Sequence, residues 1–375
     1  MVMGDPFRVM VVDDSAVIRG LLTRFLEADP EISVAASVSN GQMALDRLDR
    51  HDVEIVVLDI EMPIMDGMTA LPLLLKKKPG VQVLMASTLT RKNADISLRA
   101  LAAGAADYVT KPTSTSQIHT TDDFKRELTE KVKAIAEAGR GGRRRAPQPA
   151  GAGPAAPLRR AAPQRPSPAP ARQIVLRREP IQRPDLIAIG SSTGGPQALF
   201  KLFGDLSGHV PQPILITQHM PATFTSLLAG HISRASSADC TEAKEGEVIV
   251  PGHVYLAPGD YHMLAEPTES GNVIRLSKDE RENYCRPSVD PMLRSLAAIY
   301  GPRLLVLILT GMGSDGRKGG EAVVAAGGSV IAQDEATSVV WGMPGAVANA
   351  GVCSAVLALS DIAPFVRKLV VRSAA

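Results

Sequence analysis

The sequence predicts an α/β protein made of two doubly wound parallel-sheet domains joined by a linker. Three observations lead to this prediction. Short apolar strand patterns alternate with helical patterns over residues 1–138, and the same alternation returns over residues 185–375. The residues between them, 139–184, are rich in Pro, Gly, Ala and Arg. A chain of 375 residues is long enough for two or three separately packed cores.

The first domain shows five strand patterns with helical patterns between them. The strand patterns are FRVMVV, VAASV, VEIVVLDI, VQVLMAS and DYVTK. The helical patterns are SAVIRGLLTRFLEAD, GQMALDRLDRH, GMTALPLLLKK and ADISLRALAAG. Such βα units form one parallel sheet, and ligands of parallel sheets bind beyond the carboxyl ends of the strands.

Polar residues collect at those strand ends. Asp13 and Asp14 end the first strand, Asp59 the third, Ser87 the fourth and Lys111 the fifth. Three carboxylates at one edge repel each other unless a hard cation such as Mg²⁺ lies among them. A lysine and a hydroxyl beside them would supply charge and a hydrogen bond to a phosphoryl group on one carboxylate. The pattern therefore predicts a phosphate acceptor.

The segments VVDDS, LDIEMPIMDG, MAST and TKP resemble the response-regulator receiver family, whose fold is flavodoxin-like. The resemblance covers residues 7–138 and implies that a histidine kinase phosphorylates Asp59. It also implies the following roles: Mg²⁺ ligands Asp14, Asp59 and the backbone carbonyl of Glu61, with Asp13 acting through water; phosphoryl contacts Ser87 and Lys111; and Tyr108 as the aromatic ring that changes rotamer on activation.

The segment 139–184 is predicted to be a flexible, disordered linker. It carries 11 arginines and one acid, a net charge of +10, whereas residues 1–138 and 185–375 each carry −4. It has little apolar surface to bury and cannot offset the entropy of ordering. Its arginines are either solvated or a contact for an acidic surface or nucleic acid.

The second domain begins with the stretch IGSSTGGPQALF, residues 189–200. An apolar strand precedes it and a helical pattern with an early Pro196 follows it, so the loop is predicted to connect a strand to a helix. Such loops either cradle phosphate or present a nucleophile. The spacing fails both the phosphate-loop motif and the dinucleotide motif. It fits Gly-x-Ser-x-Gly, the nucleophile turn, with Ser192 at its centre.

A serine nucleophile needs a base and a carboxylate that orients the base. His219 follows the apolar strand PILITQ, which is predicted to end at the same sheet edge as the serine loop. Asp315 lies in the glycine-rich loop GMGSDG after the strand LLVLILT. The sequence therefore predicts a Ser192–His219–Asp315 site. The alternative for Asp315 is a helix cap, and the two roles do not exclude each other.

Five segments in this half, IGSSTGG, ITQHMP, YLAPGDYHM, RPSVDPML and LTGMGSDG, are similar in order and spacing to the protein-glutamate methylesterases of chemotaxis response regulators. The resemblance implies a Rossmann-like catalytic domain over residues 185–375, with Ser192 as nucleophile, His219 as base and Asp315 as its partner. Its substrates are γ-glutamyl methyl esters of methyl-accepting chemoreceptors, hydrolysed with release of methanol, and receptor glutamines, which are deamidated. Ester hydrolysis needs no cofactor. We place the backbone N–H of Met312 at the oxyanion.

Two residues depart from the commoner family pattern. Ser191 stands where alanine is usual, and Cys285 stands where histidine is usual. Neither is a member of the predicted triad. We also expect the unphosphorylated receiver to cover the Ser192 cleft, and phosphorylation of Asp59 to loosen that cover.

Other features predict a cytoplasmic protein. The N-terminus lacks the pattern of a secretory signal, the apolar runs are too short to span a bilayer, and the three cysteines show no paired spacing. A non-enzymatic regulator whose linker binds nucleic acid is one rival hypothesis, but both folded halves are acidic and no helix-turn-helix pattern is present, so nucleic acid is not expected. The other rival is an esterase or amidase with a different target.

Overall fold

The computed structural model describes residues 5–88, 90–111, 118–145, 174–178, 182–206, 210–236 and 238–371. Most of the segment expected to be a disordered linker lies outside these ranges. At its start, the last helix of the first half continues to Arg145, past residue 138. Near its end, the backbone N–H of Arg177 donates to the carbonyl of Cys353 at 2.8 Å.

The first half forms a five-stranded parallel sheet in the order β2-β1-β3-β4-β5. The strands are apolar on both faces because helices cover both faces. The strands are β1 (Phe7–Val12), β2 (Ile32–Val38), β3 (Ile55–Asp59), β4 (Gln82–Thr88) and β5 (Asp107–Lys111). The helices are α1 (Ala16–Glu27), α2 (Gly41–Leu48), α3 (Gly67–Lys77), α4 (Arg91–Ala102) and α5 (Ile118–Arg145).

The turns that follow strands in this half are closed by side-chain caps. The N-cap side chains of α1 to α4 each accept a hydrogen bond from a backbone N–H of the first helical turn. These caps are Ser15, Asn40, Asp66 and Thr90. Such caps satisfy N–H groups that the helix itself leaves unpaired. They start the helices at the sheet edge where the predicted acidic residues lie.

The second half forms a seven-stranded parallel sheet in the order β14-β13-β12-β6-β7-β9-β8. The strands are β6 (Leu186–Ser191), β7 (Ile214–Gln218), β8 (Asp239–Glu242), β9 (His253–Leu256), β12 (Leu304–Ile308), β13 (Ser329–Gln333) and β14 (Cys353–Leu357), with the antiparallel hairpin β10 (His262–Thr268) and β11 (Gly271–Ser277) beside them. The helices are α6 (Gly195–Leu206), α7 (Ala222–Ala235), α8 (Val289–Tyr300), α9 (Arg317–Ala325), α10 (Gly342–Asn349) and α11 (Leu359–Val370). The prediction of two doubly wound parallel sheets is confirmed.

In the part of the chain that the structure describes, no helix combines the length and the apolar character needed to cross a membrane.

Candidate active site and phosphorylation site

The carboxyl edge of the first sheet holds an acidic cluster. Each of Asp13, Asp14 and Asp59 offers a carboxylate oxygen, and these oxygens lie within 4.8 Å of one another. The Nζ of Lys111 lies 2.5 Å from Asp13 Oδ2 and 2.6 Å from Asp59 Oδ1. One lysine neutralises only part of three carboxylates. The remaining charge and the all-oxygen donor set fit a hard divalent cation such as Mg²⁺.

Asp59 is buried, and burial raises the pKa of its carboxyl group, although the adjacent Lys111 opposes the rise. A buried carboxylate of this kind is stabilised by any further positive charge that reaches it. The neighbouring Ser87 is also buried, and its hydroxyl accepts a hydrogen bond from Ser97 Oγ at 3.1 Å. Ser87 lies near the end of β4, next to the strand of Asp59, and Lys111 ends β5, one strand further along the sheet.

The predicted metal-binding role of Glu61 involves its backbone carbonyl and not its side chain. Its side chain forms an ion pair with Lys92, with 2.9 Å between Oε1 and Nζ. The role of its carbonyl stays a prediction. Tyr108 lies on β5 and is 4% exposed. Its ring stacks on Phe224 of α7, with the centroids 4.4 Å apart and the planes at 13°. The predicted switch aromatic is thus packed against the second half of the chain.

The serine loop connects β6 to α6, as the sequence predicts. Gly194 has φ +76, a backbone conformation that glycine adopts without strain. Gly195 begins α6, and its N–H donates to the carbonyl of Ser192 at 2.7 Å. A Cβ on Gly195 would lie 1.9 Å from Gln218 Oε1. The glycines therefore allow a tight turn that no larger residue could form here.

The two adjacent serines have different environments. Ser191 is fully buried, and its hydroxyl donates to Gln218 Oε1 at 2.6 Å. Ser192 is partly exposed, and among the described residues its hydroxyl has no hydrogen-bond partner. The Ser191 hydroxyl is committed to packing the loop, whereas the Ser192 hydroxyl is free to react.

The three predicted triad residues follow three adjacent strands. Ser192 follows β6, His219 follows β7, and Asp315 follows β12, and the sheet order places β12, β6 and β7 side by side. The backbone N–H of His219 donates to the carbonyl of Ser191 at 3.1 Å, which ties the base to the serine loop. His219 Nε2 lies 2.7 Å from Asp315 Oδ2. Asp315 therefore engages Nε2, and Nδ1 lies on the other side of the ring.

Asp315 is completely buried and accepts several further hydrogen bonds. The backbone N–H groups of Val289 and Asp290 donate to it at 2.6 and 3.0 Å, and Ser288 Oγ donates at 2.9 Å. Burial raises the pKa of Asp315, but the contact with His219 and the backbone donors outweigh it and hold the pKa at about 2. The carboxylate therefore stays ionised next to His219 and stabilises an imidazolium.

Burial lowers the pKa of His219, but Cys285 and Asp315 raise it more strongly, to about 10. The Sγ of Cys285 lies 3.3 Å from Nδ1. Both ring nitrogens of His219 thus have a partner in this structure.

The loop that carries Met312 lies against the serine. A Cβ on Gly311 would lie 2.9 Å from the Cβ of Ser192, so only glycine fits there. Within the described residues, the backbone N–H of Met312 donates no hydrogen bond. A free N–H one residue from this contact is a suitable oxyanion donor, and the role stays a prediction.

Sequence reasoning missed the residues that hold the triad. Gln218 Nε2 donates to the carbonyls of Ser192 and His219 at 2.9 and 3.1 Å. Asn283 Nδ2 donates to Asp315 Oδ1 at 2.9 Å and to Asp290 Oδ2 at 3.1 Å. Gln218 directly precedes His219, and its position in ITQHMP could have signalled it. Asn283 lies in an irregular loop that has no periodic signal.

The first half packs against the catalytic side of the second half. α4 contacts α6 and α7. Gln197 Nε2, on α6, donates to the carbonyls of Ala105 and Ala106 next to β5, the latter at 3.2 Å. His231 Nε2, on α7, lies 3.0 Å from Asp95 Oδ1 on α4. The helix that follows the serine loop is thus in direct contact with the domain that carries Asp59.

The fold joins a five-stranded α/β domain with an acidic cluster at its sheet edge to a larger α/β domain, and comparison with known proteins agrees. A model of the response regulator receiver domain matches residues 9–121, and a model of the CheB methylesterase matches residues 187–366. The chain is 60% identical to a protein-glutamate methylesterase/protein-glutamine glutaminase of Rhodospirillum centenum, over 99% of this chain and 96% of that protein. It is 58% identical to one from Paramagnetospirillum magneticum, over 98% and 97%.

Among solved structures, the catalytic domain of the Thermotoga maritima CheB methylesterase is similar, with 40% identity, a TM-score of 0.49, and coverage of 50% of this chain and 98% of that one. The chain belongs to the CheB methylesterase family, with a response regulator receiver domain at its N-terminal side. The resemblance inferred from the motifs is confirmed.

Proposed function

We propose that this protein is a phosphorylation-activated hydrolase that demethylates glutamate γ-methyl esters of chemoreceptors, with release of methanol, and deamidates receptor glutamines. The observation that carries the proposal is the meeting of Ser192, His219 and Asp315 beyond three adjacent strands. The names of the relatives supply the substrate class.

In the proposed mechanism, Ser192 Oγ attacks the ester carbonyl while His219 takes its proton. The proton goes to Nδ1, because Nε2 faces Asp315. His219 then returns the proton to the leaving methoxide, and water hydrolyses the acyl-enzyme with His219 again as base. The Met312 N–H would stabilise the oxyanion, and one such donor contributes roughly 10²–10³ in rate.

The receiver domain supplies control. Asp59 accepts a phosphoryl group from a histidine kinase, with Ser87 and Lys111 as its protein contacts. Mg²⁺ would be held by Asp14, Asp59 and the carbonyl of Glu61, with Asp13 acting through water, and it would neutralise charge on the transferring phosphoryl group. The salt bridges from Lys111 to Asp13 and Asp59 connect the phosphorylation site to β5. Tyr108, also on β5, stacks on Phe224 of α7.

The resting receiver would limit access to Ser192. Support comes from the contacts of Gln197 and His231 with the receiver, since α6 starts directly after the serine loop. Phosphorylation of Asp59 would weaken this packing and expose the cleft to the receptor helix. Because its proposed substrates are cytoplasmic segments of receptors, the protein would work in the cytoplasm.

The test is methanol release from methylated receptor membranes by the full-length chain. Ser192→Ala should lower the rate of methanol release by about 10³-fold or more, because the nucleophile is lost. Ser191→Ala is the matched control: it loses one buried hydrogen bond to Gln218 but keeps the nucleophile, so most of the activity should remain. The proposal fails if Ser192→Ala keeps its rate, or if the two variants lose activity equally.

A further inference from the structure

Cys285 contacts the base of the proposed triad at the nitrogen that the mechanism needs. Its Sγ lies 3.3 Å from His219 Nδ1, while Nε2 lies 2.7 Å from Asp315. Cys285 is partly buried, whereas Cys240 and Cys353 are buried in the core.

The pair of thiol and imidazole shares one proton in two possible ways. Either the thiol donates S–H to a neutral Nδ1, or an imidazolium Nδ1–H donates to a thiolate. In both arrangements the Nδ1 lone pair is engaged and cannot accept the proton of Ser192. Consistent with this, the Ser192 hydroxyl has no hydrogen-bond partner in the described part of the chain.

We propose that Cys285 is a positioning residue that caps the base nitrogen of His219 in the resting enzyme, so that ester hydrolysis requires the thiol to leave Nδ1. The inference rests on the proposed function, because it assigns the base role to His219. It adds a second level of control: the resting receiver limits access to the cleft, and Cys285 keeps the base unavailable within it.

The receiver is in contact with the segment that carries Cys285. The guanidinium of Arg126, on α5, lies over the ring of Tyr284 at 5.2 Å from its centroid. Tyr284 and Asn283 both have positive φ, 63 and 53, so this segment is held in a conformation that few residues favour. Asn283 is in turn bonded to Asp315 and Asp290. The segment therefore touches the receiver through one exposed contact and is hydrogen-bonded to the active-site carboxylates through Asn283.

Among the described residues, the groups that face the His219 ring come from three segments of the second half. Cys285 and Asp315 touch its ring, and behind Asp315 lie Asp290 and Arg294, both on α8. Cys285 contributes to the rise in the pKa of His219. Removal of the thiol should free the lone pair of Nδ1.

The test compares Cys285→Ala and Cys285→Ser with the wild-type chain, without phosphodonor and with acetyl phosphate and Mg²⁺. Cys285→Ala should raise the unphosphorylated rate by about two- to tenfold, the worth of one hydrogen bond, and leave the phosphorylated rate little changed. Cys285→Ser retains a hydroxyl that can cap Nδ1, so its basal rate should lie nearer to wild type. The His219 imidazole, followed by NMR titration, should titrate differently in Cys285→Ala than in the wild-type chain, because Nδ1 has lost its partner.

The NMR titration does not depend on turnover, so it separates this inference from the proposed function. If Ser192→Ala stays active, the proposed triad is wrong, whereas an altered His219 titration in Cys285→Ala would still support the contact. An unchanged titration overturns the proposal. So does a Cys285→Ala rate that falls equally in both states, because the thiol would then assist catalysis and not restrain it.

Discussion

At the residue scale, the site depends on which atoms of a side chain are already engaged. Ser191 and Ser192 are chemically identical, but the hydroxyl of Ser191 is bound to Gln218 in the core. His219 has Asp315 on one nitrogen and Cys285 on the other. Among the described residues, the Ser192 hydroxyl has no such partner, and this difference makes Ser192 the candidate nucleophile.

Asp315 also links the site to acid stability. Its folded pKa of about 2 lies below the usual 3.8, so its ionised form stabilises the fold above pH 3.8 and this contribution is lost as the pH falls through about 2. Between about pH 6 and pH 3, the linkage relation gives a loss of about 1 kcal/mol from this group. Asp315→Asn should lack this part of the acid loss.

Urea unfolding at both pH values measures the difference. Asp260→Asn is the matched control, because Asp260 is an exposed aspartate of the same half whose nearest cation is 4.0 Å away. Equal acid losses in wild type and Asp315→Asn would show that the pKa of this buried carboxyl group is not lowered in the folded protein.

At the element scale, the start of α6 sets the geometry of the serine loop. Two glycines of this one helix provide a test. A Cβ on Gly195 would meet Gln218 Oε1 at 1.9 Å, whereas a Cβ on Gly204 would meet nothing within 4 Å. Gln218 cannot move freely, because its amide holds Ser191, Ser192 and His219.

Gly195→Ala should therefore lower methanol release by about tenfold or more and destabilise the protein by about 1–3 kcal/mol through overpacking. Gly204→Ala should keep full activity and stabilise the helix by up to about 1 kcal/mol. The rates come from methanol release and the stabilities from urea unfolding. A Gly195→Ala enzyme with normal activity would mean that the Gln218 bonds do not hold the site.

At the scale of the whole molecule, the two halves meet through apolar, aromatic and polar contacts, since one apolar cluster contains buried residues of both halves. The His231–Asp95 pair joins α7 to α4 at some distance in the chain from the triad. Asp95→Ala should loosen the resting contact and raise methanol release without phosphodonor by up to about fivefold, since exposed pairs are worth little individually.

Asp46→Ala, which removes an exposed acid on α2, is the control and should leave the basal rate unchanged. Both variants should reach the same rate after phosphorylation, because the receiver no longer restrains the site. If Asp95→Ala and Asp46→Ala had the same basal rate, this contact would have no part in holding the resting state.

Much of this organisation could be predicted from local pattern. Apolar strands of four to seven residues that alternate with helices indicate two parallel sheets. The rule that ligands bind at the carboxyl ends of strands selected Asp59, Ser192, His219 and Asp315 as candidates. The hairpin of β10 and β11 and the supporting amide of Asn283 were not predicted, because neither the pairing of short strands nor the conformation of an irregular loop has a periodic signal.

The sequence by itself determined the two folds, the acidic cluster and the serine turn, because the repeating βα pattern brings strand ends to one sheet edge and the serine turn is a local motif. Only the tertiary structure decided that β12 lies beside β6, which brings Asp315 to His219 across 96 residues. It also decided that Cys285 reaches Nδ1 and that Tyr108 packs on Phe224. These contacts join segments distant in the chain, and their formation depends on how whole sheets and domains pack.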